Sequence, residues 1–359
     1  MKRTIALLLA LCLAACLPAL AENGELFEPV VEEDASLPSG LKATWACVTF
    51  GSYPTREVVS GDYSAVEDYA LREGDVISDA ALYEQLTKAE WTDDETELDG
   101  ARYRRMTAMD AVSWATDRPQ HYAWDGPDSW HYFRYEPIKW RVIELNGSVA
   151  TLLADRQLDC APFNAEDADT CWADCTLRSF LNGYDGSMNA LGAAYDAAPR
   201  DSFIATAFSE SERRSILRLP VENLPSRNYG ISSGPDTEDY VFILSEAEVY
   251  ASPAAARHGF YAGGGVDDAA RRFSPTPYAM ARGAWYSPVD AYRGNGFWFM
   301  RTTGYTAASV TYICDFGYIY SRGTYATCND AALLPAIRVD LDTAACEYAG
   351  TVTSADIVK

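Results

Sequence analysis

Histidine is scarce in this chain: His121, His131 and His258 are the only three among 359 residues. Neither "WHYFRY" nor "RHGF", which carry two of them, sits in a nucleophile motif, and this weakens any hydrolase reading. Basic residues are in short supply too, with 29 Lys and Arg against 52 Asp and Glu and a net charge of −23. A chain this acidic lacks the positive footprint that nucleic acid requires, and nothing draws it to anionic lipid. Long apolar runs are also missing. The run from Thr4 to Ala15 falls short of the about 20 apolar residues that span a bilayer. No internal repeat is evident.

What is present begins with that short run. Lys2 and Arg3 precede it, Pro18 breaks it, and Ala19-Leu20-Ala21 closes it as a small-x-small cleavage site. Residues 1–21 therefore read as a secretory signal peptide, which places the mature protein outside the cytoplasm, secreted or on the outer face of the cell envelope. Leu13-Ala14-Ala15-Cys16 also fits a lipobox, so lipidation at Cys16 is the alternative to cleavage after Ala21; a lipid there would be the sole membrane anchor. Seven cysteines follow the leader: Cys47, Cys160, Cys171, Cys175, Cys314, Cys328 and Cys346. In an exported chain they are disulfide candidates before they are metal ligands, and an odd number leaves at least one unpaired. No histidine lies near Cys160, Cys171 and Cys175, so zinc is disfavoured and no metal site is assigned.

Residues 22–44 are acidic and punctuated by Pro and Gly, and read as a linker. A strand in "TWACVTFGSYP" opens the folded part and ends at Gly51 and Pro54. Residues 57–130 carry helical signals: "SDAALYEQL" with Ser78 as N-cap, and "TAMDAVSWA" with Thr107 and Asp110 in capping-box register. The acidic "WTDDETELDG" between them is a solvated loop without the alternating order of a calcium loop. In "YEPIKWRVIELNGSVATLLADRQLD", Asn146-Gly147 predicts a type I′ turn joining two antiparallel strands covered on both faces. Helices follow in "DCTLRSFLN", with Asp174 as N-cap, and in "FSESERRSIL", with Ser209 and Glu212 in capping-box register. "DYVFILS" is a strand running into a helix capped by Ser245 and Glu248. A long irregular stretch rich in Gly, Pro and aromatics precedes the final strands "GFWFMRTTG", "ASVTYICDFGYIYS" (turning near Gly317) and "LLPAIRVDL".

The ordered set "FGSYP", "YEPIKWRV", "LLADRQLD", "LRSFLN", "AFSESERRSI", "VFILSEAEV" and "LLPAIRV" resembles an uncharacterised family of exported bacterial proteins, domain of unknown function 6273, over roughly residues 45 to 342. The terminal part is similar to the C-type-lectin-like fold, shared with formylglycine-generating enzymes. The resemblance implies an α+β, C-type-lectin-like domain: mixed antiparallel sheets, a few flanking helices and a long irregular loop region. It implies paired terminal strands, a core running from "DYVFILS" to "LLPAIRV", and a binding face built from about 257 to 330. The division expected is one domain over 45–345, with 57–130 a helical insertion and 346–359 a C-terminal tail. The chain departs from the family at Trp298–Gly304, where relatives carry Trp-Leu-Arg-Ser-Pro-Gly, and at Leu333-Leu334, where they carry an arginine before Pro-Ala.

Aromatic residues make up 13% of the chain, enough to furnish a ligand-stacking surface beyond the core. On the loop face Tyr261, Tyr278, Trp285, Tyr286, Tyr292, Phe297 and Trp298 alternate with Arg271, Arg272, Arg282, Arg293 and Arg301. Phe297, Trp298 and Phe299, in a strand, belong to the core. Trp285, Tyr286, Tyr292, Arg282, Arg293 and Arg301 are the candidate ligand contacts. The expectation is a non-catalytic binding module with a glycan or surface protein as partner and no cofactor. Calcium is disfavoured because Cys328-Asn329-Asp330 lacks the accompanying proline motif. Two alternatives stand: an enzyme resembling the formylglycine-generating oxidases, for which Cys314 and Cys328 invite comparison, and a structural or assembly protein crosslinked through the odd cysteine.

Overall fold

The computed structural model describes residues 26–61, 64–112, 122–184, 201–250, 252–260 and 267–357. The leader with Cys16, and also His121 and Tyr261, lie outside the described residues.

The first described element is β1 (Val30–Glu33), paired antiparallel with the start of β2 (Leu41–Val59), Val30 opposite Thr44. The linker expected over 22–44 thus joins the sheet at 30–33 and again from Leu41. Phe27 and Leu37 are buried, and Lys42 meets Glu32 at 3.0 Å. β2 itself runs for 19 residues, through the Gly51 and Pro54 that were expected to end it. Register shifts between Thr49 and Ser52 and between Pro54 and Arg56 absorb them, and bulges are where a strand tolerates a missing N–H. Gly51 has φ +69°, and a Cβ there would stand 2.5 Å from the Phe208 ring.

Next come β3 (Val76–Ser78), parallel to β2, and α1 (Ala80–Lys88). The cap of α1 is Asp79 rather than Ser78; its carboxylate accepts from the N–H groups of Ala81 and Leu82 at 2.9 and 3.0 Å. The acidic loop is a β-structure: Asp93-Asp94 and Asp99-Gly100 each have two positive φ angles, and the second pair joins β4 (Glu95–Leu98) to β5 (Ala101–Met106). Thr107 and Asp110 do form a capping box, but on a single 3-10 turn, Ala108–Asp110. The expected helical insertion is therefore mixed among its described residues, with β3, β4 and β5 beside α1 and two 3-10 turns, Asp68–Ala70 and Ala108–Asp110. It closes over a small core of its own, with Val58, Leu86, Tyr103 and Tyr132 buried against Tyr83 and Trp91.

β6 (His131–Asn146) and β7 (Val149–Ala154) form the expected hairpin, shielded on both faces. Its turn differs from expectation. Asn146 pairs with Val149, and the positive φ falls on Gly147 (63°) and not on Asn146, so the loop is Gly147-Ser148 with Gly in first position. After β8 (Asp159–Cys160) comes α2 (Thr176–Asn182), whose N-cap is Cys175, one residue beyond the predicted Asp174. α3 (Phe203–Ala207) and α4 (Glu210–Arg213) follow, the latter with the Ser209–Glu212 capping box in place. β9 (Leu219–Val221) and β10 (Thr237–Asp239) make a small ribbon. β11 (Val241–Phe242) leads to α5 (Glu246–Val249), where the Glu248 carboxylate accepts from both N–H and hydroxyl of Ser245. α6 (Pro253–Arg257) and α7 (Pro277–Arg282) precede β12 (Trp298–Thr303), β13 (Ser309–Ile313) and β14 (Ile319–Tyr325). Pro335 splits "LLPAIRVDL" into β15 (Ala332–Leu333) and β16 (Ala336–Asp340), which belong to different sheets. The chain returns in β17 (Glu347–Thr353), paired antiparallel with β2.

The ten-stranded sheet runs β1-β2-β6-β7-β16-β11, with β17 and β3 also on β2, and β5 on β6 carrying β4. The five-stranded sheet runs β14-β13-β12-β15-β8. Pairing is antiparallel except for β2–β3 and β12–β15. The protein is a sheet-rich α+β molecule. Trp45, Trp140, Trp172 and Trp298 are fully buried in its core, and each indole N–H finds an acceptor: the carbonyls of His258, Phe50 and Arg271 for Trp45, Trp140 and Trp298, and the Asp239 carboxylate for Trp172.

The segment expected to be a tail, 346–359, thus supplies a sheet strand and a buried cap, since the Ser354 hydroxyl accepts from the Ala43 N–H at 2.9 Å. Deleting everything after Ala345 should lower the thermal midpoint by at least about 5 °C, a loss of roughly 2 kcal/mol in a domain of this size. An unchanged midpoint by calorimetry would show the strand to be dispensable.

Candidate functional site

Two stretches far apart in sequence meet beside the large sheet. One is Tyr69–Glu73, leaving the 3-10 turn Asp68–Ala70; the other is Asp290–Asn295, which contains a second such turn. Gly294 (φ +74°) lets them approach, for a Cβ there would lie 3.1 Å from the Ala70 Cα. The Gly294 N–H donates to the Ser287 carbonyl at 3.0 Å, and the Asn295 amide donates to the Asp315 carbonyl at 3.2 Å; both hold the second stretch in place. Between the two opens a cavity of about 500 Å³, completed by Ser274 and by Asp356 and Ile357 near the chain end.

Its walls combine rings and guanidinium groups. Tyr69 sets its edge against the buried Tyr286 ring at 6.0 Å, and Arg293 lies over its face at 5.6 Å. Tyr292 packs on Phe316 at 5.4 Å, takes Arg272 over its face at 4.9 Å and donates to Asp267 at 3.3 Å. Burial pushes both tyrosine hydroxyls upward, reinforced by Glu67 at Tyr69 and by Asp267 at Tyr292, so both remain neutral donors. Among the described residues the Arg72 side chain makes no hydrogen bond or ion pair, and the buried Ser274 hydroxyl has no partner. A second concavity of about 520 Å³ adjoins at Glu73, with Arg56, Glu136, Lys139, Asp155 and Arg156 in its wall. Such a surface can stack a ring and hold hydroxyl or carboxylate groups through donors of fixed direction.

Of the six candidate contacts, Tyr292 and Arg293 line this cavity. Four do not. Tyr286 is fully buried and belongs to the core. Trp285 is half-buried, with its ring against Phe297 at 6.1 Å. Arg282 reaches Asp159 at 3.0 Å and the Asp110 carbonyl, pinning α7 to β8. Arg301 is buried on Glu248 at 2.5 Å and on the Ile243 and Glu222 carbonyls at 2.7 and 2.9 Å. Arg271, Arg272 and Tyr278 are buried as well. The broad loop face is largely core because its irregular backbone must satisfy its polar groups internally. Tyr69, Arg72 and Ser274 escaped the sequence reading; Gly294, with its left-handed backbone at a close approach, was the available signal. Gly230-Ile231-Ser232-Ser233-Gly234 matches nucleophile-turn spacing, but the Ser232 hydroxyl accepts from the Gly234 N–H at 3.2 Å, and no strand-to-helix turn surrounds it.

Among the described residues no disulfide joins any two of the seven cysteines after the leader. Several act as small core residues, and burial pushes Cys47 up to about 12 and Cys171, Cys314 and Cys346 to about 11. Cys328 meets Asp330 at 2.8 Å.

Residues 147–341, more than half the chain, match the family described as Domain of unknown function (DUF6273). The chain belongs to this family. No curated protein and no solved structure matches it. The DUF6273 region begins in the β6–β7 turn and ends just after β16, so it supplies Ser274 and Asp290–Asn295 but not Tyr69–Glu73 or Asp356. The cavity forms where the family domain meets its flanks.

Arg301 and Arg293 give contrasting expectations. Burial alone would raise the Glu248 carboxyl, but the Arg301 charge and hydrogen bond, with the Ser245 N–H, outweigh it and hold the group at about 2. This stabilisation is complete above the usual 4.5 and is lost as pH falls towards 2. Arg301→Met should cost about 3–5 kcal/mol in urea unfolding at pH 7, with a smaller difference from wild type at pH 3. Arg293→Ala, on an exposed pair, should stay within about 0.5 kcal/mol. Equal costs for the two would contradict their placement.

Proposed function

We propose that this protein is a non-catalytic binding module that acts outside the cytoplasm and takes a glycan in the cavity between Tyr69 and Tyr292. The observation that carries this reading is the wall itself: two tyrosines beside the Arg72 and Arg293 guanidinium groups, a buried hydroxyl without a partner, and an amide, around a space large enough for a sugar ring. The leader-like N-terminus supports export. Pairing of β17 with β2 and of β11 with β16, around a long connection folded against the sheet, supports a C-type-lectin-like architecture. Among the described residues no helix is long and apolar enough to cross a membrane. An oxidase built on Cys314 is less well supported, because the reactive form of a thiol is the thiolate and burial suppresses it there.

The test is binding of the purified chain to a broad glycan panel, with calcium and with chelator. A saturable hit should weaken by about tenfold or more in Tyr292→Ala and in Arg72→Ala, the loss of one good stacking or charged contact. Trp285→Ala, away from the cavity, should bind as wild type. A hit insensitive to both cavity variants, or no hit at all, would overturn the glycan reading.

A further inference from the structure

A second, smaller site lies outside the DUF6273 region, where the far end of β2 meets the start of β6. Glu57, on β2, is buried with 1% exposure. Asp155, Asp239 and Glu248 each face an arginine, but among the described residues Glu57 has no guanidinium or ammonium partner. Its carboxylate accepts from the Tyr122 hydroxyl at 2.7 Å and the Ser64 hydroxyl at 3.0 Å, and His131 Nδ1 lies 3.2 Å away. Nδ1 is also 2.8 Å from the Tyr122 oxygen. The tyrosine proton points to Glu57, so this oxygen accepts, and both neighbours of Nδ1 are acceptors. In the neutral imidazole this arrangement puts the proton on Nδ1 and the lone pair on Nε2.

That Nε2 is buried and has no hydrogen-bond partner among the described residues. His131 and Glu57 form part of the wall of a notch of about 70 Å³, together with Ser60, Gly61, Tyr83, Asp125 and Trp130. Trp130 is 37% exposed at the surface. A water molecule occupies about 30 Å³, so the notch holds a head group and about one carbon but no sugar ring. Its described lining combines a ring nitrogen, two carboxylates and two aromatic rings and includes no cationic residue; Arg105, paired with Asp94, lies over the Trp130 ring at 4.0 Å. The same field acts on the Tyr83 hydroxyl, which burial, then Asp125 and Glu57, push upward.

We propose that this notch binds a primary ammonium group at the end of an unbranched alkyl chain, of the lysine side-chain or polyamine type. One ammonium hydrogen goes to His131 Nε2 and another to Asp125, and the Trp130 and Tyr83 rings flank the charge. An ammonium has three donors and no acceptor, and it gains from ring faces once desolvated. A hydroxyl of the same size would satisfy Nε2 but leave the carboxylates uncompensated.

The protein has only three histidines, so the full chain with ¹⁵N-labelled histidine reports on the site directly, His131→Gln assigning the resonance. Titration with n-butylammonium should move the His131 Nε2 resonance saturably, and n-butanol at equal concentration should not. Asp125→Asn, a change at an exposed position that leaves the buried Glu57 network intact, should weaken the response by about tenfold. The proposal fails if butanol and butylammonium act alike, if Asp125→Asn responds as wild type, or if no shift occurs at about 0.1 M ligand.

Discussion

A strand of nineteen residues has two edges of backbone N–H and C=O groups, and a buried strand must satisfy both. β2 meets this demand by gathering the chain around itself. β1 and then β6 cover one edge, and β17 and then β3 cover the other. The acidic N-terminal segment and the C-terminal segment, polar as they are, become strands because β2 offers them hydrogen bonds. The bulges around Gly51 and Pro54 let so long a strand bend and reach both the main core and the smaller core under α1.

Buried charge then ties the irregular region to this sheet. Arg141, on β6, bonds Asp155 at 2.7 Å and lies between the Trp45 and Phe273 rings at 4.8 and 4.3 Å. Arg178 bonds Asp239 at 2.7 Å, and Arg301 fastens β12 to α5. Breaking such a pair leaves a buried charge uncompensated, so each acts as a strict positional constraint wherever the backbone is otherwise irregular. Residues 271–280 are buried throughout as a result, and a stretch with the composition of a flexible loop behaves as core.

The two concave sites sit where this rigid centre runs out. The larger one lies between the DUF6273 region and its flanks, lined by rings and guanidinium groups. The smaller one, on the flank alone, is lined by carboxylates, rings and an imidazole. Both also carry carboxylates, and they differ in that only the larger has guanidinium groups among its described lining residues. Both draw residues from segments more than forty positions apart, so neither is visible as a motif.

Short-range rules were legible in the sequence wherever a local bond decides. The Ser209–Glu212 box, the Ser245–Glu248 pair, the turn at Gly317 and the β6–β7 hairpin each close within a few residues, and each is present. The Asp99-Gly100 turn was as readable but was passed over for the acidity around it. The sequence also determined the family and the acidic surface. Only the tertiary structure decided that 30–33 and 347–353 are strands, because their pairing energy comes from β2 and not from their own propensity. It alone separated Tyr292 and Arg293 from Tyr286 and Arg301, four residues of the same two types in one stretch. Burial depends on what packs above a side chain, and that neighbour is set by chain segments two hundred residues away.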